Sequence, residues 1–274
     1  EGIQELIRAI EDTGKDEYVA TYNTGEFISH LVNKGYSRNK IELKIRSPFS
    51  CLGLYTKKDW IIIGDVGDLV GGGMEGGEII VNGNAEKWVG GNMGSGRIEI
   101  GGNAGDNAGS GMRGGRIRVI GDAGDGVGIK KEGGMIEIGG NVGNYAGLEM
   151  KGGKIIVGGN AKDWTGKEMK GGMIEIGGNV GNYAGEWMRG GTVKIKGDAG
   201  AVIGGSMRGG RIEIGGNAGN YPGGSMRGGR IEIGGNAGCG AGKWMEGGTI
   251  VIKGTTGPWV GEEMNGGCLL YTSD

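Results

Sequence analysis

Six cations fall at one phase of a 19-residue interval: Arg113, Lys151, Lys170, Arg189, Arg208 and Arg227, the last five at consecutive intervals. A row of this kind is a docking strip for an acidic partner surface or a small anion. The competing account is a solvated face with local ion pairs to Glu175, Glu213 and Glu232, as surface charges commonly form. Aromatic residues hold two further phases. Trp88, Tyr145, Trp164, Tyr183, Tyr221 and Trp259 share one, and Trp187 and Trp244 share another. They read either as a partner-docking face, since aromatics are enriched in interface cores, or as rings stacked between turns of the chain. Trp164, Trp187 and Trp244 join the six cations as candidate docking residues.

Other chemistries find little support. The single histidine, His30, has no companion for a catalytic triad or a metal site. Cys51, Cys239 and Cys268 have no CxxC spacing and form an odd set, which fits a reducing compartment better than a disulfide framework. Glycine-rich turns invite a phosphate-binding reading. A dinucleotide fingerprint, however, needs one such turn between a strand and a helix, and here glycines recur without helices. The nonapeptide of calcium-binding β-rolls is also missing. No catalytic, cofactor-binding or metal-ligating residue is therefore assigned.

The elements that must carry the candidate residues follow from the period itself. Met74, Met93, Met112, Met150, Met169, Met188, Met207, Met226, Met245 and Met264 are separated by 19 or twice 19 residues, and Lys131 fills the one vacancy. Gly71, Gly90, Gly109 and their successors to Gly261 keep step without exception. Each unit holds one alternating strand, such as Ile212-Glu213-Ile214, with both isoleucines on one face. A 19-residue unit is too short for a strand–helix–strand crossover, which needs about 30 residues. Stacking successive coils buries the apolar faces and satisfies the backbone. The expected fold is all-β: a right-handed parallel β-helix (solenoid) of eleven coils, about 50 Å long at roughly 4.8 Å per layer. Ile79 to Ile250 and Val81 to Ile252 form two interior columns, with Met, Ala and Val filling the rest. Asn84, Asn103, Asn141, Asn160, Asn179, Asn217 and Asn236, with Asp65, Asp122 and Asp198, form an amide column. Stacked amides can bond one another, and Asn and Asp tolerate left-handed corners. The Gly-Gly pair after each Met is expected to make another corner at positive φ.

Residues 1–40 read as a helix/strand cap region: an amphipathic helix over 3–12, a strand over Glu17–Tyr22, and a short helix carrying Phe27, Ile28, Leu31 and Val32. Residues 41–63 read as a cap coil, because Ile41-Glu42-Leu43 and Trp60-Ile61-Ile62 continue the strand phase backward. Residues 64–274 are the glycine-patterned helix. After Gly267 the expected strand is replaced by Cys268-Leu269-Leu270-Tyr271-Thr272-Ser273-Asp274, which reads as a truncation or a few foreign residues. A start at Glu1 rather than Met points to a longer natural N-terminus.

Composition agrees with this frame. Gly occurs 72 times and Pro three times, which excludes collagen, whose glycines need abundant proline. With 30 basic and 32 acidic residues, there is no electrostatic footprint for nucleic acid or an anionic membrane. No apolar run spans a bilayer and no signal peptide is visible, so a cytoplasmic protein is expected.

The repeat Gly159-Asn160-Ala161-Lys162-Asp163-Trp164-Thr165-Gly166-Lys167-Glu168-Met169-Lys170-Gly171-Gly172 resembles the GXGXG β-helix superfamily. That superfamily contains the β-helix subunit of formylmethanofuran dehydrogenase and the C-terminal β-helix of glutamate synthase. Over residues 64–267 the Asn-Ala, Trp, Gly and Met-Lys-Gly-Gly order is more similar to the former. The N-terminal helix–strand lead-in is similar to stand-alone glutamate synthase β-helix subunits. Either resemblance implies a non-catalytic structural and docking subunit of an oxidoreductase complex, with no cofactor of its own. Its partners would be catalytic subunits that hold tungsten- or molybdenum-pterin, zinc and Fe-S groups, or FMN and Fe-S groups. An autonomous carbohydrate-active β-helix enzyme is the alternative of another class. It would need a dedicated carboxylate pair, whereas the outward strand position mixes Glu99, Arg118, Glu137, Glu175, Lys194 and Glu213. An ice-binding or adhesive solenoid would want regular Thr rows or an export signal, and neither is present.

Overall fold

Inward isoleucines spaced two apart, repeated every 19 residues, leave the chain one way to bury them: coil upon coil in register. The computed structural model describes residue 26, residues 28–30, residues 40–45 and residues 48–271. Within these it is an all-β parallel solenoid whose strands make one thirteen-stranded sheet in sequence order. Strands β1 (Lys40–Lys44) and β2 (Asp59–Ile63) precede the glycine repeats, and β3 (Glu75–Val81) opens them. Strands β4 to β12 follow at 19-residue intervals, from Ser95–Ile100 to Gly247–Ile252, and β13 is Cys268–Tyr271. The isoleucine columns keep register: Trp60 pairs with Ile79, Ile79 with Ile98, Ile98 with Ile117, and Ile117 with Ile136, while the register shifts at the starts of β3 and β11, between Glu75 and Glu78 and between Arg227 and Arg230. A second line of single bridges joins Val66 to Ala85, Ala104 and onward to Thr256 on another side of the coil.

Thus eleven strands belong to the glycine repeats, and two more extend the stack toward the N-terminus. The tail expectation needs correction. Cys268–Tyr271 does not end the strand pattern; it pairs with β12, and Leu269 continues the Ile250 column. Leucine and tyrosine fill the isoleucine positions, so only the composition changes there. At the other end, Glu26 and residues 28–30 are helical, Ile28 is buried with Leu43, Phe49, Leu52 and Trp60, and the Ser29 hydroxyl donates to the Cys51 carbonyl at 2.8 Å. The helix expected over 3–12 and the strand over Glu17–Tyr22 lie outside the described residues.

The interior is apolar and regular. Both isoleucine columns and the methionines of the 19-residue phase from Met74 to Met245 are buried. Two successive turns shape each coil. In one repeat, Lys167 N–H donates to Trp164 O at 3.2 Å and Met169 N–H to Gly166 O at 3.1 Å. Each turn needs a left-handed third residue, supplied here by Gly166 (φ 69°) and Glu168 (φ 55°). The first of these positions faces the core. At Gly109 a Cβ would meet Ile136 Cδ1 within the van der Waals distance, as in most coils; at Gly242 and Gly261 there is room, and the positive φ alone favours glycine. The second faces outward, so Glu168, Trp187, Ser206 and Trp244 are tolerated there at a backbone cost of about 1 kcal/mol each.

The amide column behaves differently from expectation. None of its residues takes positive φ; the left-handed residues are those of the turn, including Trp88, Tyr145 and Trp164. Each Asn or Asp Oδ1 instead accepts the backbone N–H of the next coil, for example Asn179 N–H to Asn160 at 2.7 Å and Asp198 N–H to Asn179 at 2.8 Å. Amide-to-side-chain bonds occur in this column where aspartate lies beneath, as from Asn141 to Asp122 at 3.2 Å. The reason is supply: every coil offers an outward N–H that the main chain does not engage, and it is a nearer donor than the neighbouring amide.

Candidate docking face

In each coil one residue follows the interior methionine directly, so its side chain leaves the core wall and enters solvent. The six cations at that place are all exposed and form one row, in which the five from Lys151 to Arg227 follow one another coil by coil and Arg113 stands two coils before Lys151. Glu132 and Glu246 interrupt and flank the row. These acids neutralise their neighbours: Lys151 Nζ lies 2.7 Å from Glu132, and Arg227 Nε lies 3.1 Å from Glu246. The hydrogen bond from Lys151, with its charge, holds the Glu132 carboxyl below the usual range. Lys170 pairs instead with Glu149 at 3.4 Å, and Arg113 adds its field to Glu132.

Arg113, Arg189 and Arg208 stand apart, the last two on neighbouring coils. None of these guanidinium groups reaches a carboxylate within 4.0 Å among the described residues. For Arg208 the cause is positional: Glu149 reaches Lys170 from 21 residues earlier, whereas the residue 21 before Arg208 is Trp187. Arg189 has Glu168 at that place, but Glu168 makes no ion pair among the described residues. The acids expected to neutralise this row do not do so. Glu175 pairs with Lys154 at 3.0 Å, Glu213 with Lys194 at 3.3 Å, and Glu232 with Arg211 at 3.0 Å, all on the sheet's outward face. Alternation along the strand sends those glutamates out of the sheet, away from the post-methionine corner.

The aromatic residues divide into two groups. Tyr145, Trp164 and Tyr183 stack face to face with ring centroids 5.1 Å and 5.5 Å apart, close to one coil per ring. Trp187 and Trp244, at the second turn position, are 44% and 47% exposed. Lys167 Nζ sits 4.5 Å from the Trp187 ring centroid, and Lys243 Nζ lies equally close to Trp244. The Trp244 indole N–H donates to Glu263 at 3.0 Å. Between these two tryptophans the column holds Ser206 and Ser225, backed by Gly205 and Gly224. The structure thus gathers Trp187, Trp244, Arg189, Arg208 and Arg227 on one side of neighbouring coils. Trp164 belongs to the stacked group, and Arg113 and Lys151 lie further along the rod.

The outward sheet face carries a trough of about 460 Å³ with Lys196 and Lys253 at its ends, Gly215 and Gly234 between them, and Glu213 and Glu232 beside them. It is the nearest approach to the carboxylate pair of a glycosidase. Glu232 is held below the usual carboxylate range by the Arg230 hydrogen bond and the nearby Arg211, the opposite of what a general acid needs. No group of three or more His, Cys, Asp or Glu capable of holding a metal exists among the described residues, and no helix among them is long and apolar enough to cross a membrane.

Two features escaped sequence reasoning. Asp68, Asp106, Asp125, Asn144, Asp163, Asn182 and Asn220 form a second acceptor ladder, three residues after the first; Asn144 N–H donates to Asp125 at 2.7 Å and Asn182 N–H to Asp163 at 2.8 Å. The same 19-residue count would have found it. The surroundings of Lys131, whose place in the methionine series the period had shown, are the other. Lys131 is fully buried in the methionine column, and its ammonium donates to the carbonyls of Gly133 and Gly134 at 2.5 Å each. Burial pushes its pKa down to about 8. No protein-family model matches the chain, and no curated protein matches it.

Proposed function

We propose that this chain is a non-catalytic structural and docking subunit of a cytoplasmic oxidoreductase complex, of the kind that the β-helix subunit of formylmethanofuran dehydrogenase represents. One observation carries the reading. Among the described residues most cations are paired, whereas Arg189 and Arg208, on neighbouring coils, reach no carboxylate beside exposed Trp187. Arginine and tryptophan are the residues most enriched where binding energy concentrates in protein interfaces. In-register stacking supports the same reading, because a rod of this kind holds two docking sites at a fixed separation. On this proposal the pterin, zinc and Fe-S groups reside on partner subunits that reduce CO2 and attach it as a formyl group to methanofuran.

A second reading, the β-helix subunit of glutamate synthase, is favoured by the helical residues 26 and 28–30 that precede β1. Its partners would carry FMN and Fe-S groups. Purification of the tagged full-length chain from its native host tests both. The expected result is co-elution in a large complex, with mass spectrometry identifying a pterin-binding dehydrogenase subunit. An FMN-binding synthase or an amidotransferase in its place supports the second reading. Elution of the chain alone ends both.

A further inference from the structure

Four consecutive coils hold the sequence Trp187, Ser206, Ser225, Trp244 in one outward column and Arg189, Arg208, Arg227, Glu246 in the column two residues further on. The serines and the adjoining Gly205 and Gly224 leave the wall low between two tall side chains. At roughly 4.8 Å per coil the two tryptophans stand about 14 Å apart along the rod. Lys167, over Trp187, belongs to the preceding coil, and Glu263, bonded to Trp244, belongs to the following one; Lys243, over Trp244, stands in Trp244's own coil at the end of the interval and is held by Glu262 at 2.6 Å, so no contact of either tryptophan crosses Ser206 and Ser225. The low stretch is therefore open, bounded by aromatic surface at both ends and by arginines along one side.

Charge decides what fits. Glu246 engages Arg227 at the far end, while Arg189 and Arg208 have no carboxylate within 4.0 Å among the described residues. Two arginines one coil apart repel unless an anion joins them, and planar guanidinium groups match carboxylates in two-point fashion. Residues three or four apart on an α-helix rise by about 4.5–6 Å, which brackets the coil spacing. Alternate residues of an extended strand are separated by about 6.8 Å and lose register after one coil.

We infer that the strip from Trp187 to Trp244 seats an acidic α-helix of a partner protein, aligned with the rod, whose carboxylates three or four residues apart engage Arg189 and Arg208. Its apolar side covers the two tryptophans across Ser206 and Ser225. This inference rests on the docking reading proposed above.

The test uses the full-length chain expressed in its native host, with a photo-cross-linking phenylalanine derivative at position 187 of one version. In the cross-linking arm the expected adduct is a partner peptide with Asp or Glu three or four residues apart in a helical sequence. An adduct with a basic or purely apolar peptide, or with lipid or nucleic acid, overturns the inference, as does the absence of any adduct from an assembled complex. In the charge arm, Arg189→Glu with Arg208→Glu is expected to lower partner recovery at least tenfold, while Lys162→Glu with Lys196→Glu, exposed cations outside the row, leaves it within twofold. Unchanged thermal melting of the isolated variants shows that the rod is intact. If the wild-type chain assembles and the arginine variant assembles equally well, the inference falls and the scaffold proposal stands. If the wild-type chain elutes alone, both fall.

Discussion

A lysine buried among methionines shows what single residues do in this scaffold. Lys131 Nζ would lie 2.0 Å from a Cβ at Gly153, much as Met150 Cε would lie 2.6 Å from one at Gly172, so the ammonium occupies the place of a methyl group. Its carbonyl partners partly replace water, yet the charged form is still penalised, as the fall in pKa from 10.5 to about 8 records. A base with a lowered folded-state pKa costs stability in full below that pKa, and the cost fades as pH rises toward the unfolded value. Urea unfolding should therefore show stability increasing from about pH 8 to about pH 10.5, by up to roughly 3 kcal/mol. Lys131→Met should flatten that rise and be more stable than the wild type at pH 7. A variant with the same pH profile as the wild type would contradict this assignment. At Gly109 the opposite constraint holds. Gly109→Ala combines a left-handed backbone with a clash against Ile136 and should cost about 2–4 kcal/mol in the same measurement.

Each coil is held at its corners by side chains that complete the backbone. The Asn160 side-chain Oδ1 accepts the Asn179 backbone N–H, and the Asn160 backbone N–H donates to Asn141 Oδ1 at 2.9 Å. Asn160→Ala removes one acceptor from the ladder, and a loss of about 1 kcal/mol is expected, since water can reach this exposed bond. Asn160→Asp keeps the acceptor and should lie within half of that loss, as Asp122 and Asp198 do the same work in other coils. Equal destabilisation by both substitutions would mean that the side chain acts otherwise than through its Oδ1. The strands themselves depend on inward packing. Ile136 is buried between two coils, and Ile136→Ala leaves a cavity there that should cost about 2–5 kcal/mol in chemical denaturation.

At the scale of the molecule, contacts run between neighbouring coils, so stability is a sum of coil terms and nearest-neighbour terms. Hydrogen exchange of the intact chain should find the slowest amides in the strands between Arg116 and Ile195, with protection declining toward Cys268–Tyr271. Uniform protection along the rod would show a single cooperative unit instead. The same one-dimensional order explains how the rod keeps Trp187 and Trp244 in line: no insertion alters the count of 19 between them. Docking therefore depends on a distance set by the number of coils.

Because an in-register solenoid turns sequence period into spatial adjacency, residues 19 apart were enough to determine the fold class, the two isoleucine columns and the location of the cationic row. The period does not say which neighbour a side chain reaches. Pairing of Lys151 with Glu132, of Lys170 with Glu149 and of Arg227 with Glu246 depends on how long side chains cross from one coil to the next. The position of left-handed backbone at Trp164 and Glu168, rather than at Asn160, depends on where the turns close. Only the folded chain left Arg113, Arg189 and Arg208 without a carboxylate among the described residues, because charge compensation is decided by distances of a few ångströms between columns that are not adjacent in sequence.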